Sequence, residues 1–121
     1  LGQLLALISP RVPVLAPRGP VLLSYELSYI GKNAQSALHL AQLGGGVRGV
    51  ALALGLRVVA VQPSESKLAL AGRGGATKQE MIDKARQVFG PGLSEHESDA
   101  CGHAMAGEAK VRRQAVERKA T

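Results

Sequence analysis

The sequence predicts an α/β chain with parallel strands flanked by helices, and three observations point there. The apolar run Val21 to Leu27 carries one carboxylate, Glu26, at its end and is followed by a helix start at Asn33. A second short run, Arg57 to Val61, is β-branched and uncharged after its first residue. Two Ser/Thr-x-x-Glu spacings, Thr77 with Glu80 and Ser94 with Glu97, then open helices in the second half. Strand, helix, strand in that order implies a right-handed crossover, which places the two strands parallel.

Taken in order, Leu1 to Ile8 reads as the last turns of a helix, and Ser9 to Pro20 as a connector with four prolines and no acidic residue. Val21 to Leu27 is the first strand. Asn33 is a good N-cap for a helix on which Ala34, Ala37, Leu38 and Ala41 share a face. Gly44, Gly45 and Gly46 challenge it, because three glycines inside a helix cost about 2 to 3 kcal/mol relative to alanine. Either the helix breaks there or close packing against another backbone compensates. After the Arg57 strand, the Thr77 box opens a helix whose buried stripe is Met81, Ile82, Ala85, Val88 and Phe89, and Gly90-Pro91-Gly92 stops it. The Ser94 box opens a last helix on which His96, Asp99 and His103 lie on one face. From Glu108 to Thr121 the chain is Lys/Arg-rich with only Val111 and Val116 apolar, as in an exposed or frayed helical tail.

Size and charge narrow the function classes. At 121 residues the chain is read as a single domain, residues 1–121, with a core from 21 to 107 and a basic tail from 108 to 121. With no Trp, two Tyr and one Phe, the core is built of Leu, Val, Ile and Ala. A net charge of +6 and a pI near 10.0 favour a polyanionic partner such as nucleic acid. A membrane is disfavoured: no basic amphipathic helix carries aromatic anchors, and the longest charge-free stretch, Asn33 to Val47, is short and Gly-rich. No signal peptide is recognised, and a single cysteine, Cys101, suits a reducing compartment. The first residue is Leu rather than Met, as in a fragment or a processed form.

In open α/β sheets, ligands and metals are met at the carboxyl ends of strands, so Glu26 is a site candidate. Glu26, His96 and Asp99 together make a carboxylate-and-imidazole set suited to a hard divalent cation. The alternative for His96 and Asp99 is plain helix N-terminus electrostatics, the only role expected of Glu95 and Glu97. A solvated strand end is the alternative for Glu26.

Glu26, Tyr29, Lys32-Asn33-Ala34 and Ser36-Ala37-Leu38 resemble the corresponding run of the RuvC family of Holliday-junction resolvases. Lys67, Gly72-Arg73-Gly74, Ala76 and Lys78 are similar to that family's Lys, Gly-x-Gly and Lys run, and His96-Glu97-Ser98-Asp99-Ala100 to its Asp-x-x-Asp-Ala helix start. Order and spacing agree from about Val21 to Met105.

The resemblance implies an RNase H-like fold, a homodimer acting on branched DNA, and cleavage with two Mg²⁺ ions, for which Mn²⁺ would substitute. By the same resemblance Glu26, His96 and Asp99 would be the catalytic metal-site residues. Tyr29, Lys32, Lys67, Arg73 and Lys78 would contact DNA, with Tyr29 stacking on a base at the opened junction. The Gly44 to Gly49 region would form the dimer contact, and the location would be the cytoplasm of a bacterium or a phage-infected cell. Solvated surface is the alternative for the lysines, and a core or interface aromatic for Tyr29.

One departure stands out. The family's first strand carries a metal-bridging Asp in a Gly-Ile-Asp-Pro-Gly motif, and this chain has no acidic residue before Glu26. The expectation is therefore an N-terminally incomplete resolvase or a degenerate copy, with very weak or no cleavage by these 121 residues alone. The other class kept open is a non-catalytic DNA-binding or dimerising module.

Overall fold

A computed structural model describes residues 21–26 and 34–120. The proposed helix remnant and connector over 1–20, together with Tyr29 and Lys32, lie outside the described residues. Two strands, β1 (Leu22–Glu26) and β2 (Arg57–Val61), form a parallel two-stranded sheet, with α1 (Ala34–Ala53) as the crossover between them. Three helices follow: α2 (Pro63–Ala71), α3 (Lys78–Phe89) and α4 (Glu95–Ala120). The chain is α/β with helices flanking the sheet, as the sequence predicts. Contacts divide it into two compact units: one holds Leu22, Leu23 and the stretch to Val58, the other Ser24–Glu26 and everything from Val59.

In the first unit, α1 runs unbroken through Gly44, Gly45 and Gly46, so the break that those glycines suggested does not occur. The alternative, a neighbouring backbone that compensates, finds no support at Gly45 or Gly49, where an added Cβ would meet nothing within 4 Å among the described residues. Leu38, Leu43 and Leu52 are 60%, 61% and 69% exposed. The helix ends against Leu56, whose N–H donates to the Ala51 carbonyl at 2.9 Å, after a turn at Gly55 with φ of +73°.

The second unit has its own core. Leu70, Ala76, Met81 and Ala85 form a buried cluster, with Ala71, Leu93, Cys101 and Met105 packed on it. On β2, Val59 and Val61 are buried at alternate positions, the period of two expected of a strand. Helix α2 escaped the sequence reading, although its punctuation is local: Pro63 in the first turn, Glu65 Oε1 accepting the Gln62 N–H at 3.0 Å, and Gly72 closing it with φ of +85°.

Both Ser/Thr boxes form as the spacing predicts. Thr77 Oγ1 accepts the Glu80 N–H at 3.2 Å. Ser94 Oγ accepts the Glu97 N–H at 3.1 Å, while Glu97 Oε1 accepts the Ser94 N–H at 3.0 Å. The α3 stripe needs a correction: Met81 and Ala85 are buried, but Val88 and Phe89 in the last turn are about half exposed, past the reach of the core cluster. Helix α4 continues through Gly107 to Ala120, so the basic tail is an extension of the last helix. Gly102 lets α4 come close to its neighbours, since a Cβ there would lie 3.0 Å from Met81 Cε and 3.4 Å from the Ser66 carbonyl oxygen.

Candidate functional site

Strand β1 delivers Glu26 at its carboxyl end with the side chain 46% exposed. Two residues earlier, Ser24 Oγ donates to the His103 carbonyl at 2.6 Å, tying the strand directly to the helix that carries His103. The same helical residue turns its ring to Glu26: His103 Nε2 stands 3.3 Å from Glu26 Oε2. On the other side of the ring, Nδ1 lies 2.7 Å from the hydroxyl of Ser66, which is 2% exposed. Glu26, His103 and Ser66 thus form one string from solvent to core, contributed by β1, α4 and α2.

The two other residues predicted for metal, His96 and Asp99, lie exposed in the opening turns of α4, on either side of the buried Ser98. Ser98 is satisfied within the helix, its Oγ donating to the Ser94 carbonyl at 2.8 Å. Among the described residues no three His, Cys, Asp or Glu side chains converge into a group that could hold a metal ion. Glu26, His96 and Asp99 are therefore not gathered into one cage here, and the imidazole beside Glu26 is His103. The donor chemistry nonetheless fits a hard cation, because Mg²⁺ is commonly held by one or two carboxylates completed by water and substrate phosphate.

Three of the predicted DNA-contacting cations, Lys67, Arg73 and Lys78, lie in the same unit. Lys67 is half-buried on α2. Arg73, in the loop after α2, grips the Glu80 carboxylate with both arms of its guanidinium, Nε at 3.0 Å from Oε2. Lys78 pairs with Glu95 at 2.8 Å. These pairs raise the pKa of Arg73 and Lys78 and lower those of Glu80 and Glu95, chiefly through the side-chain hydrogen bonds. All four groups are well exposed, and exposed pairs of this kind are weak and screened by salt, so a phosphate oxygen can replace either carboxylate.

Sequence reasoning missed two features. The sequence places His103 on the face of His96 and Asp99 but assigns it no role, because its partners are remote: Ser66 lies 37 residues away in the chain. Lys110 belongs by sequence to the basic tail, yet its ammonium donates to the Ala60 carbonyl at 3.0 Å and lies 3.5 Å from Glu65, which Arg113 also approaches at 3.6 Å. No sequence signal announces that clamp beyond the clustering of charge.

Comparison with known proteins adds a coherent set of matches. The sequence profile of the family described as crossover junction endodeoxyribonuclease RuvC matches residues 2–107. A crossover junction endodeoxyribonuclease RuvC of Chloroherpeton thalassium is 35% identical over 100 residues, covering 80% of this chain and 54% of the relative. One from an Anaeromyxobacter species is 38% identical over 105 residues, covering 85% of this chain and 50% of the relative. The chain thus spans about half the length of these curated relatives. Among solved structures, Thermus thermophilus RuvC superposes with a TM-score of 0.65 at 28% identity, covering 91% of this chain and 69% of that one. The same protein in complex with a Holliday junction substrate gives 0.63 at 27% identity. No helix among the described residues is long and apolar enough to cross a membrane.

Proposed function

Because the chain belongs to the RuvC family of crossover junction endodeoxyribonucleases, we propose that it serves the metal-dependent resolution of four-way DNA junctions, as a structure-selective endonuclease whose site needs a carboxylate beyond those described. The observation that carries this reading is Glu26, presented to solvent at the carboxyl end of β1 in a fold shared with a junction-bound relative. The net charge of +6 supports a polyanionic substrate.

In this reading Glu26 and Asp99 offer carboxylate oxygens to Mg²⁺, or to Mn²⁺ in its place, with His96 beside Asp99 at the start of α4. The bound metal supplies Lewis acidity toward the scissile phosphate and a water of lowered pKa. The chain's own part is placement. Lys67 and Lys78 neutralise phosphates near the scissile bond, Arg73 and Lys32 track the backbone, and Tyr29 stacks on an unpaired base, a contact worth about 1 to 3 kcal/mol in comparable proteins. A second copy is the proposed protein partner, a reading supported by the apolar side chains that α1 leaves at its surface, Leu38, Leu43 and Leu52.

A second reading, a non-catalytic junction-binding or dimerising module, is favoured by the lack of a three-ligand group among the described residues. Incubation of the protein with a labelled four-way junction in Mg²⁺ and in chelator separates the two. Junction-selective nicking that vanishes in chelator and in Glu26→Gln is expected for the nuclease. Junction binding that survives chelator with no nicking at any metal concentration would establish the module instead.

A further inference from the structure

We propose that His103 is a positioning residue for Glu26, held in place by Ser66, so that the strand-end carboxylate is oriented before a metal arrives. The inference rests on the reading of Glu26 as a metal-site residue and adds a partner outside the set that the family resemblance supplies.

Three contacts carry it. The backbone of His103 is fixed to β1 by the Ser24 hydroxyl, which donates to its carbonyl at 2.6 Å, two residues before Glu26. The ring is fixed from behind by Ser66, whose Oγ lies 2.7 Å from Nδ1. The remaining ring nitrogen faces Glu26 Oε2 at 3.3 Å. With backbone and ring both held, the imidazole has little freedom, and the group it faces is a flexible, part-exposed glutamate that otherwise samples several rotamers.

The Ser66 contact admits the tautomer that this role needs. Where the buried Ser66 hydroxyl donates to Nδ1, that nitrogen is the acceptor and the ring hydrogen sits on Nε2, the nitrogen 3.3 Å from Glu26 Oε2. A donor on one carboxylate oxygen leaves the other oxygen and its remaining lone pairs for a cation. Outer partners of this kind orient metal-binding groups, and their loss commonly costs 10- to 100-fold in metal affinity. Gly102 keeps α4 close to the Ser66 support, since a Cβ there would already touch the Ser66 carbonyl oxygen at 3.4 Å and a longer side chain would have to displace it.

The test is Mn²⁺ affinity of the full chain without DNA, read from the spin-resonance signal of free Mn²⁺, for the parent, Glu26→Gln, His103→Leu, His103→Gln and Ser66→Ala. Glu26→Gln should abolish the tightest binding. His103→Leu and Ser66→Ala should each raise the dissociation constant about 10- to 100-fold, and His103→Gln, whose amide can donate from near the Nε2 position, should recover most of that loss. A purely structural role would lower the melting temperature of His103→Leu while leaving Mn²⁺ affinity at the parent value at temperatures where it is folded, and that result overturns the proposal. Should His103→Leu fail to fold, nitrogen NMR of the parent decides: a ring whose only hydrogen is on Nδ1 sinks the proposal, and one with a hydrogen on Nε2 supports it. If Glu26→Gln binds Mn²⁺ as the parent does, or the parent binds none, the metal reading of Glu26 falls and this inference with it. If Glu26→Gln loses the ion and His103→Leu does not, only this inference falls.

Discussion

The two units of the chain are held by different means. From Val59 onward each helix has its own start signal, two have glycine stops, and their apolar residues meet in a shared core around Met81 and Ala85. Helix α1 has no charged residue in either terminal turn to complement its dipole, three consecutive glycines, and leucines pointing outward. The second unit contains the information for its helices locally, whereas α1 in the first has a sequence that stabilises a helix poorly by itself. Most helical stability comes from burial of a face, so α1 is the element whose structure depends most on what covers it.

That contrast can be broken or sharpened. Leu70→Ala, which empties part of the buried cluster, should cost about 2 to 5 kcal/mol, whereas Leu43→Ala on α1 should stay within about 0.5 kcal/mol in the monomer. Urea unfolding of the two variants measures both, and equal costs would end the distinction. If a second copy covers α1, Leu43→Ala instead weakens association, which sedimentation at several concentrations detects.

Next in size is Gly102→Leu, expected to destabilise by about 1 to 3 kcal/mol, because the new side chain collides with Met81 and with the backbone of Ser66. A variant as stable as the parent would mean that α4 has room to move away. On α1, Gly45→Ala meets open space among the described residues and should add up to about 1 kcal/mol of helix stability. Circular dichroism would show the gain. A loss of helicity coupled to dissociation would instead show that the glycine lets another backbone come near.

The smallest effect concerns pH. Hydrogen bonds from Ser94, backbone first, hold the Glu97 carboxyl below its ordinary value of 4.5. Its folded pKa is depressed, so its contribution to the start of α4 is present above that ordinary value and disappears as pH falls through the folded one. Acid titration should fray the first turn of α4 in the parent, and Glu97→Gln should flatten that part of the curve.

Legibility in the sequence follows the same division. The starts of α3 and α4 could be read because a capping box is a signal confined to four residues, and β1 and β2 because apolar and β-branched runs are equally local. The continuity of α1 could not, since propensity argued for a break at Gly44 and the helix persists. The exposure of Val88 and Phe89 was hidden because a periodic stripe does not reveal how far the covering core extends. At the site, Glu26 was visible as a lone carboxylate ending an apolar strand. The Ser66 and His103 contact joins residues 37 apart, and neither residue is unusual in its own neighbourhood.

The carboxylates that hold Arg73 and Lys78 have a consequence for how ionic strength would act on DNA binding. A free surface cation that meets a phosphate releases a condensed counterion from the nucleic acid, and affinity falls steeply with salt, by a log–log slope of about −0.9 for each such contact. Here a phosphate that takes Lys78 must displace Glu95, and one that takes Arg73 must displace Glu80. Each freed carboxylate draws a cation of its own from solution, so the net number of ions released is smaller than the number of basic contacts formed. The chain would bind a polyanion with a shallower salt dependence than its count of lysines and arginines suggests.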